Sequence, residues 1–552
     1  MKKLIINLIK NACHKISIDL NENEIQIDRP KSLEHGDYSS NIALQISKRL
    51  KKNPREVADI LINEMDYQTY FEKLELAGPG FINFFLNSSG KASQLNDVFD
   101  LKEDFGKNKT GNNQTLQVEF VSANPTGPLH IGHGRGAAIG DCLARIFQAN
   151  GWDVTREFYY NDAGAQINNL ALSVQARLKN IEPDHEDFPQ DGYRGDYIQD
   201  IATAYSQKKS LSSELEEVVA SGNVEDLKNI QQFSVAFLRN EQNQDLANFR
   251  TFFDVFTLES SFYVNQDIEN VVKTIKQNGF TYESDDALWL KTTEFNDDKD
   301  RVMQKSDGTY TYFVPDVAYH KNKWERGFKR VINEQGADHH STITRVRAGL
   351  QALNMGIPQD WPEYVLHQMV TVMKNGQEVK ISKRAGSYVT LSDLVNQVGC
   401  DATRFFLVSR KADSQLIFDI DLAQSKSNDN PVYYIQYAHA RIFAVLDQAK
   451  FKSSNISEGL IELLSSNHES QLMKKISEFP DIVFLSGEEK SPHYIATYLK
   501  ELAGDFHSYY NDSKFLVDDV NLQSARLSLV FAVKQVIKNG LELLGLSAPE
   551  KM

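Results

Sequence analysis

The chain has 552 residues, 41% of them hydrophobic, 24% charged and 10% aromatic, with 30 glycines and 14 prolines, which excludes collagen-like and wholly disordered classes. Length divided by roughly 150 predicts about three or four domains rather than one core. The formal net charge of -15 repels phosphate on average, so composition neither requires nor excludes an RNA partner, and any such partner must meet local basic surfaces.

No run of about 18 uncharged apolar residues occurs, and the opening Met1 to Lys10 is broken by Asn7 and Lys10 before a signal core develops. A soluble, cytoplasmic protein is expected. Cys13, Cys142 and Cys400 are odd in number and form no close pairs, which supports neither a disulfide framework nor a C-x-x-C zinc site.

In chain order, residues 1–105 read as a small α+β domain, with a helix opening at Pro54 and a strand over Gly80 to Leu86. The polar stretch Lys107 to Asn113 reads as a junction, followed by a strand over Leu116 to Val121. Strands are also expected at Val154 to Tyr160, Arg330 to Asn333 and Tyr364 to Val372, with a helix over Ala137 to Asn150. This alternation predicts a parallel α/β sheet within 106–430. A long segment at about 166–304, acidic and helical over Ser213 to Val219, is read as an inserted domain, the sheet resuming near Tyr310. Residues 431–552 read as all-α, with Val530, Val533, Ile537, Leu541 and Leu544 on one helical face.

The chemistry concentrates in Ala123-Asn124-Pro125-Thr126-Gly127-Pro128-Leu129-His130-Ile131-Gly132-His133-Gly134, between a strand and a helix. Prolines and Gly127 stop the strand, and the free N–H groups and positive dipole end of the next helix suit a phosphate. His130 and His133, three apart, lie on the same side of a first helical turn and can donate together to one phosphate group. Gly132 is expected to leave room for a flat base. A second element, Met373 to Gly386, sets four cations against one glutamate on a glycine-bearing loop. It suits the β- and γ-phosphates of ATP, or else is a solvated basic hairpin. Adjacent His339 and His340 rarely converge on one ion, so no zinc site is expected there.

The H-I-G-H of 130–133 and the K-I-S-K of 380–383 resemble the paired motifs of class I aminoacyl-tRNA synthetases. Val118 to His130, Tyr159 to Gly164, Gly336 to His340, Asp429 to Ile442 and Ala548 to Met552 resemble one family of that class, the arginyl-tRNA synthetases. The resemblance spans nearly the whole sequence and is weakest in the insertion. It implies a Rossmann-type catalytic domain, an N-terminal domain that touches the tRNA elbow through the region of Leu33 to Asn41, and an α-helical anticodon-binding domain at the C-terminus. The implied substrates are ATP with Mg²⁺, L-arginine and an arginine tRNA, and a monomer whose adenylate formation needs bound tRNA.

Residue by residue, the resemblance puts His130, Gly132, His133 and Gly134 on ATP, and Lys383, with Lys380 behind it, on the leaving pyrophosphate. Many relatives lack a clear second motif, whereas this sequence keeps it with Ile381 in place of Met. Glu119, Asn124, Tyr312 and Asp316 are implied in the arginine pocket, and His339 in the lining of the arginine or ATP pocket. Tyr433, Tyr437 and Arg441 are implied at the tRNA, although tyrosines at helical spacing also suit plain packing. Two competing readings are another H-x-G-H nucleotidyltransferase that makes a small-molecule adenylate, and a synthetase-like protein that holds tRNA without catalysis. The helical C-terminal region counts against the first, the intact histidine pair and Lys383 against the second.

Overall fold

The computed structural model describes residues 1–30, 32–212, 217–379 and 389–552, apart from the Leu33 side chain. Its centre is a five-stranded parallel sheet of β1 (Thr115–Glu119), β2 (Asp153–Tyr160), β3 (Val255–Leu258), β4 (Arg330–Gly336) and β5 (Glu363–His367). The spatial order is β3-β2-β1-β4-β5, so the backbone winds one way from β1 and then returns to the other side of it. Ligands of such doubly wound sheets bind at the carboxyl ends of the strands where the order reverses. That point lies between β1 and β4, where Glu119 and Asn333 are register partners.

The first crossover is α1 (Ile131–Ala149), buried along most of its length against the sheet. Between β2 and β3 stand Ala165–Leu178, Tyr197–Ser206, a two-stranded hairpin and α2 (Leu227–Asn248). Between β3 and β4 lie Asp267–Gln277, a separate antiparallel sheet of Thr281–Ser284, Ala287–Leu290 and Arg301–Gln304, and α3 (Phe313–Glu325).

Four expectations are corrected. The segment 166–304 is not one insertion, because β3 within it pairs in parallel with β2; at four residues it is too short for hydrophobic patterning to reveal. Near Tyr310 there is only an isolated bridge to Gln304, and the parallel sheet next continues at β4. The stretch read as helical contains a strand, Glu217–Val219, paired with Ser210–Ser212, as its two adjacent β-branched valines favour; residues 213–216 lie outside the described residues. The strand expected over Tyr364 to Val372 is in fact two, β5 and β6 (Val370–Lys374), which belong to different sheets. Gln368 between them donates its N–H to Ala412 O and accepts at its own carbonyl from Arg135, which pulls the backbone out of the first sheet.

N-terminal to the sheet, helix Pro54–Glu64 and the strand Phe81–Leu86 belong to an α+β unit with a four-stranded antiparallel sheet and its own apolar core. Towards the C-terminus come α4 (Cys400–Val408), α5 (Pro431–Gln448), α6 (Asn467–Glu488), α7 (His493–Asp512) and α8 (Val520–Leu543). Asn430 caps α5, accepting from the N–H groups of Val432 and Tyr433 just before the helix-starting Pro431. Val530, Val533, Ile537 and Leu541 of α8 are buried, and their cluster runs on into the apolar face of the central sheet. No described helix is long and apolar enough to cross a membrane.

Candidate functional site

β1 delivers Glu119 to the carboxyl edge and then turns sharply. Val121 and Ser122 take left-handed φ values of 67° and 40°, a conformation that costs a β-branched residue about 1–3 kcal/mol and recurs where a site demands it. Two groups from the region after β2 hold the following turn. Gln242 of α2 donates through Nε2 to Asn124 O (3.1 Å) and Gly127 O (2.8 Å), and the Tyr197 hydroxyl donates to Thr126 O (2.9 Å).

At the end of this turn His130 caps α1. Its Nδ1 accepts from the N–H groups of Gly132 (3.0 Å) and His133 (3.3 Å), while Nδ1 of His133 accepts from the N–H of His130 (3.3 Å). A neutral imidazole that accepts at Nδ1 carries its proton on Nε2, so the backbone fixes both rings as Nε2–H donors. The rings stack with centroids 3.7 Å apart. The bare Cα of Gly132 admits this arrangement, because a Cβ there would lie 2.8 Å from His130 Cε1. Lys380 and Lys383 lie outside the described residues. Just beyond them, Thr390 forms an antiparallel bridge with His130 and the Leu391 N–H donates to Leu129 O at 2.8 Å, so the backbone that follows the second motif abuts the corner.

Beside the corner, between β1, β4 and α3, is an acidic recess. Glu119 is buried, and both its oxygens have partners: Ser122 Oγ at 2.9 Å, and the Nζ of Lys323, a lysine with no exposed surface that also donates to Asn333 Oδ1. Burial opposes the charge of Glu119, but the Lys323 ammonium outweighs it and holds the carboxyl below its usual range. Asp316 has no such partner: burial first, then the neighbouring carboxylates Glu259 and Glu119, push it up to about 7. Burial likewise raises Glu259 to about 7, where it accepts from the Tyr159 hydroxyl at 2.9 Å. His320, pushed down to about 3 chiefly by burial, stays neutral, with Nδ1–H donating to Asp316 O and Nε2 accepting from the Asn333 amide. Three carboxyls therefore face one lysine, an excess that a planar cation would relieve.

The family signature described as tRNA synthetases class I (R), catalytic domain, matches residues 94–426, flanked by the arginyl tRNA synthetase N terminal domain over 3–86 and the DALR anticodon binding domain over 435–552. The curated arginine–tRNA ligase of Geotalea daltonii is 55% identical over 561 aligned positions that cover all of both proteins. That of Geotalea uraniireducens is 56% identical, covering 96% of this protein and 95% of its own length. The chain belongs to the arginyl-tRNA synthetase family. Its fold matches that of the Thermus thermophilus arginyl-tRNA synthetase across the full length of both proteins, with a TM-score of 0.74 at 20% identity.

In this synthetase one implied arginine-pocket residue, Tyr312, stands out in solvent, and His339 stands at the sheet edge. Tyr312 is 83% exposed: it precedes the first turn of α3, with no earlier turn to pack against, so its four-residue spacing to Asp316 does not bring the ring inward. The Asn124 amide donates to Gln166 at 2.8 Å. His339 is exposed just past the carboxyl end of β4, 3.9 Å from Asp338. On α5, Tyr433 and Tyr437 stack with centroids 5.8 Å apart, and the Arg441 guanidinium lies between the rings of Tyr437 (4.3 Å) and Tyr510 (4.7 Å). All four side chains stay partly exposed. Glu259, Lys323 and His320 escape a reading of motifs because nothing in their local sequence sets them apart; only the meeting of β1, β4, α3 and the short helix Glu259–Val264 after β3 makes them a cluster.

Proposed function

We propose that this enzyme activates L-arginine with ATP and passes it to the 3′-terminal adenosine of its tRNA. The arginine carboxylate attacks the α-phosphorus, the bond to the bridging oxygen breaks, and pyrophosphate leaves. A ribose hydroxyl of the tRNA then attacks the acyl carbon and AMP departs. No protein nucleophile is needed, so the enzyme supplies alignment and charge stabilisation. His130 and His133 supply fixed donors to the phosphates, the open end of α1 adds its dipole, and Lys383 and Lys380 meet the leaving pyrophosphate. Mg²⁺ enters as part of the ATP substrate, the usual mode for an ion that keeps few protein ligands. Asp316 and Glu259 accept the guanidinium donors, with Glu119 behind them and Asn124, Tyr312 and His339 closing on arginine once it is bound.

The single observation that carries this reading is the donor-bearing corner set beside a recess with more carboxylates than cations. The stack of Tyr433, Tyr437 and Arg441 supports base stacking by the C-terminal helices, with the tRNA elbow on the N-terminal unit. The enzyme acts as a monomer in the cytoplasm. Charging a total tRNA pool with each amino acid in turn tests this: arginine alone should be esterified. Preferred charging of another amino acid, or adenylate formation on a small molecule without arginine, would overturn it.

A further inference from the structure

A third imidazole stands beside the corner. His367 ends β5, in register with Gly336 at the end of β4, and its Nδ1 lies 2.5 Å from Oε1 of Glu334. Glu334 is 3% exposed, and its other oxygen, Oε2, is buried with no hydrogen-bond partner among the described residues. Both groups press on α1 at Gly136, where a Cβ would sit 2.6 Å from Glu334 Oε2 and 3.5 Å from His367 Cε1. Gly136 follows His133 by three residues, as His133 follows His130, so the dyad continues the row that the stacked histidines begin on that helix face. His367 keeps 13% of its side chain exposed, at the carboxyl end of the sheet.

The three rings differ in kind. Backbone N–H groups make His130 and His133 donors at Nε2 while neutral. His367 gives its Nδ1 proton to a carboxylate, so it donates at Nε2 only as the imidazolium. Its charged neighbours are Glu334 on β4, Asp338 beyond β4 and Arg135 on α1. Burial and Arg135 oppose the charge, Glu334 and Asp338 favour it, and the balance lies above the ordinary histidine value. Arg135 directs its two terminal nitrogens to Gln368 O and Lys411 O rather than to Glu334.

We propose that His367 is a third nucleotide-binding imidazole, a cationic Nε2–H donor to a phosphate oxygen of ATP, with Glu334 as the positioning residue behind it. The assignment rests on the arginine-activation reading of the same site. The experiment compares wild-type enzyme with His367→Gln and Glu334→Gln, measuring tRNA-dependent arginine activation against pH and ATP binding by calorimetry without arginine. His367→Gln should lower kcat/KM for ATP and ATP affinity at least about tenfold while the KM for arginine stays within about twofold. Wild-type kcat/KM for ATP should fall on the alkaline side as the imidazolium deprotonates. That limb should vanish in His367→Gln and move to lower pH in Glu334→Gln, which removes the charge that holds the proton. Unchanged ATP affinity and pH limb in His367→Gln would overturn the assignment and leave the arginine reading intact. Equal losses toward ATP and arginine with a lowered melting temperature would reduce His367 to packing. A wild-type enzyme that charges no arginine would remove the reading and this proposal together.

Discussion

Under the proposed function, single side chains decide how the recess meets a cation. Asp316 and Glu259 are both raised to about 7, chiefly by burial and further by neighbouring carboxylates, so near neutral pH each holds a proton part of the time. A guanidinium favours the ionised forms, so its binding must expel protons. Arginine affinity should therefore weaken as pH falls from about 8 to about 6, and calorimetry in buffers of different ionisation enthalpy should register net proton release near pH 7. A pH-independent affinity without proton release would show that neither carboxyl meets the ligand. Glu119 plays a different part. Replacing it with Gln should relax discrimination between arginine and citrulline, as a pocket carboxylate predicts. It should also destabilise the fold by about 3–5 kcal/mol, because Lys323 is left buried without a counter-charge. Urea denaturation within about 1 kcal/mol of wild type would contradict that pairing. Glu119 and Asp316 entered the sequence reading only through the family resemblance, because taken singly a strand glutamate suits solvent and a helix-start aspartate suits a cap. Lys323 and Glu259 did not enter it, because a buried lysine and a helix-start glutamate look like surface residues until the fold brings them together.

Between elements, the coupling that matters most joins α2 to the signature turn. One glutamine amide serves two backbone carbonyls on either side of Pro125 and is itself wholly buried. Gln242→Leu, close in volume but without donors, should leave both carbonyls unserved, at about 1–3 kcal/mol, and loosen the register of His130 against the phosphates. The expected signature is a fall in kcat/KM for ATP of about tenfold with arginine affinity little changed, since the recess rests on other elements. Equal losses for both substrates would instead point to general loosening of the fold. The contact also explains what sequence patterning could and could not show. The strands β1, β2 and β4 and the helix after the histidines stand out by their apolar and β-branched residues together with the turn residues that bound them. The four-residue β3 does not, and neither does the break between β5 and β6, which is made by a guanidinium on a distant helix rather than by any local turn residue.

Across the whole molecule, the same device recurs at larger range: a buried arginine fork reaches carbonyls that end several elements. Arg404 of α4 has no exposed surface and donates to Asp141 on α1, to Phe249 O and Thr251 Oγ1 just past α2, and to Leu544 O at the end of α8. It thus joins the signature helix, the helix that grips the signature turn, and the last helix of the C-terminal bundle. At the other end Arg29 bridges the N-terminal unit to Asp481 and Ser477 of α6. A protein of net charge -15 cannot rely on bulk attraction to seat an RNA, so fixed spacing between its separate contact surfaces has to supply the register. Arg404→Lys keeps the charge but not the planar fork, and one ammonium cannot reach acceptors on three elements. The variant should melt at least about 5 °C lower, as expected for a buried network losing several partners. Its KM for tRNA should rise more than its KM for ATP, because the end of α8 is released from α1 while the corner's own cap and clamp remain. A lysine variant with wild-type melting and an unchanged KM for tRNA would mean that the bundle is held by its apolar contacts alone, and that the arginine fork adds no register to the enzyme.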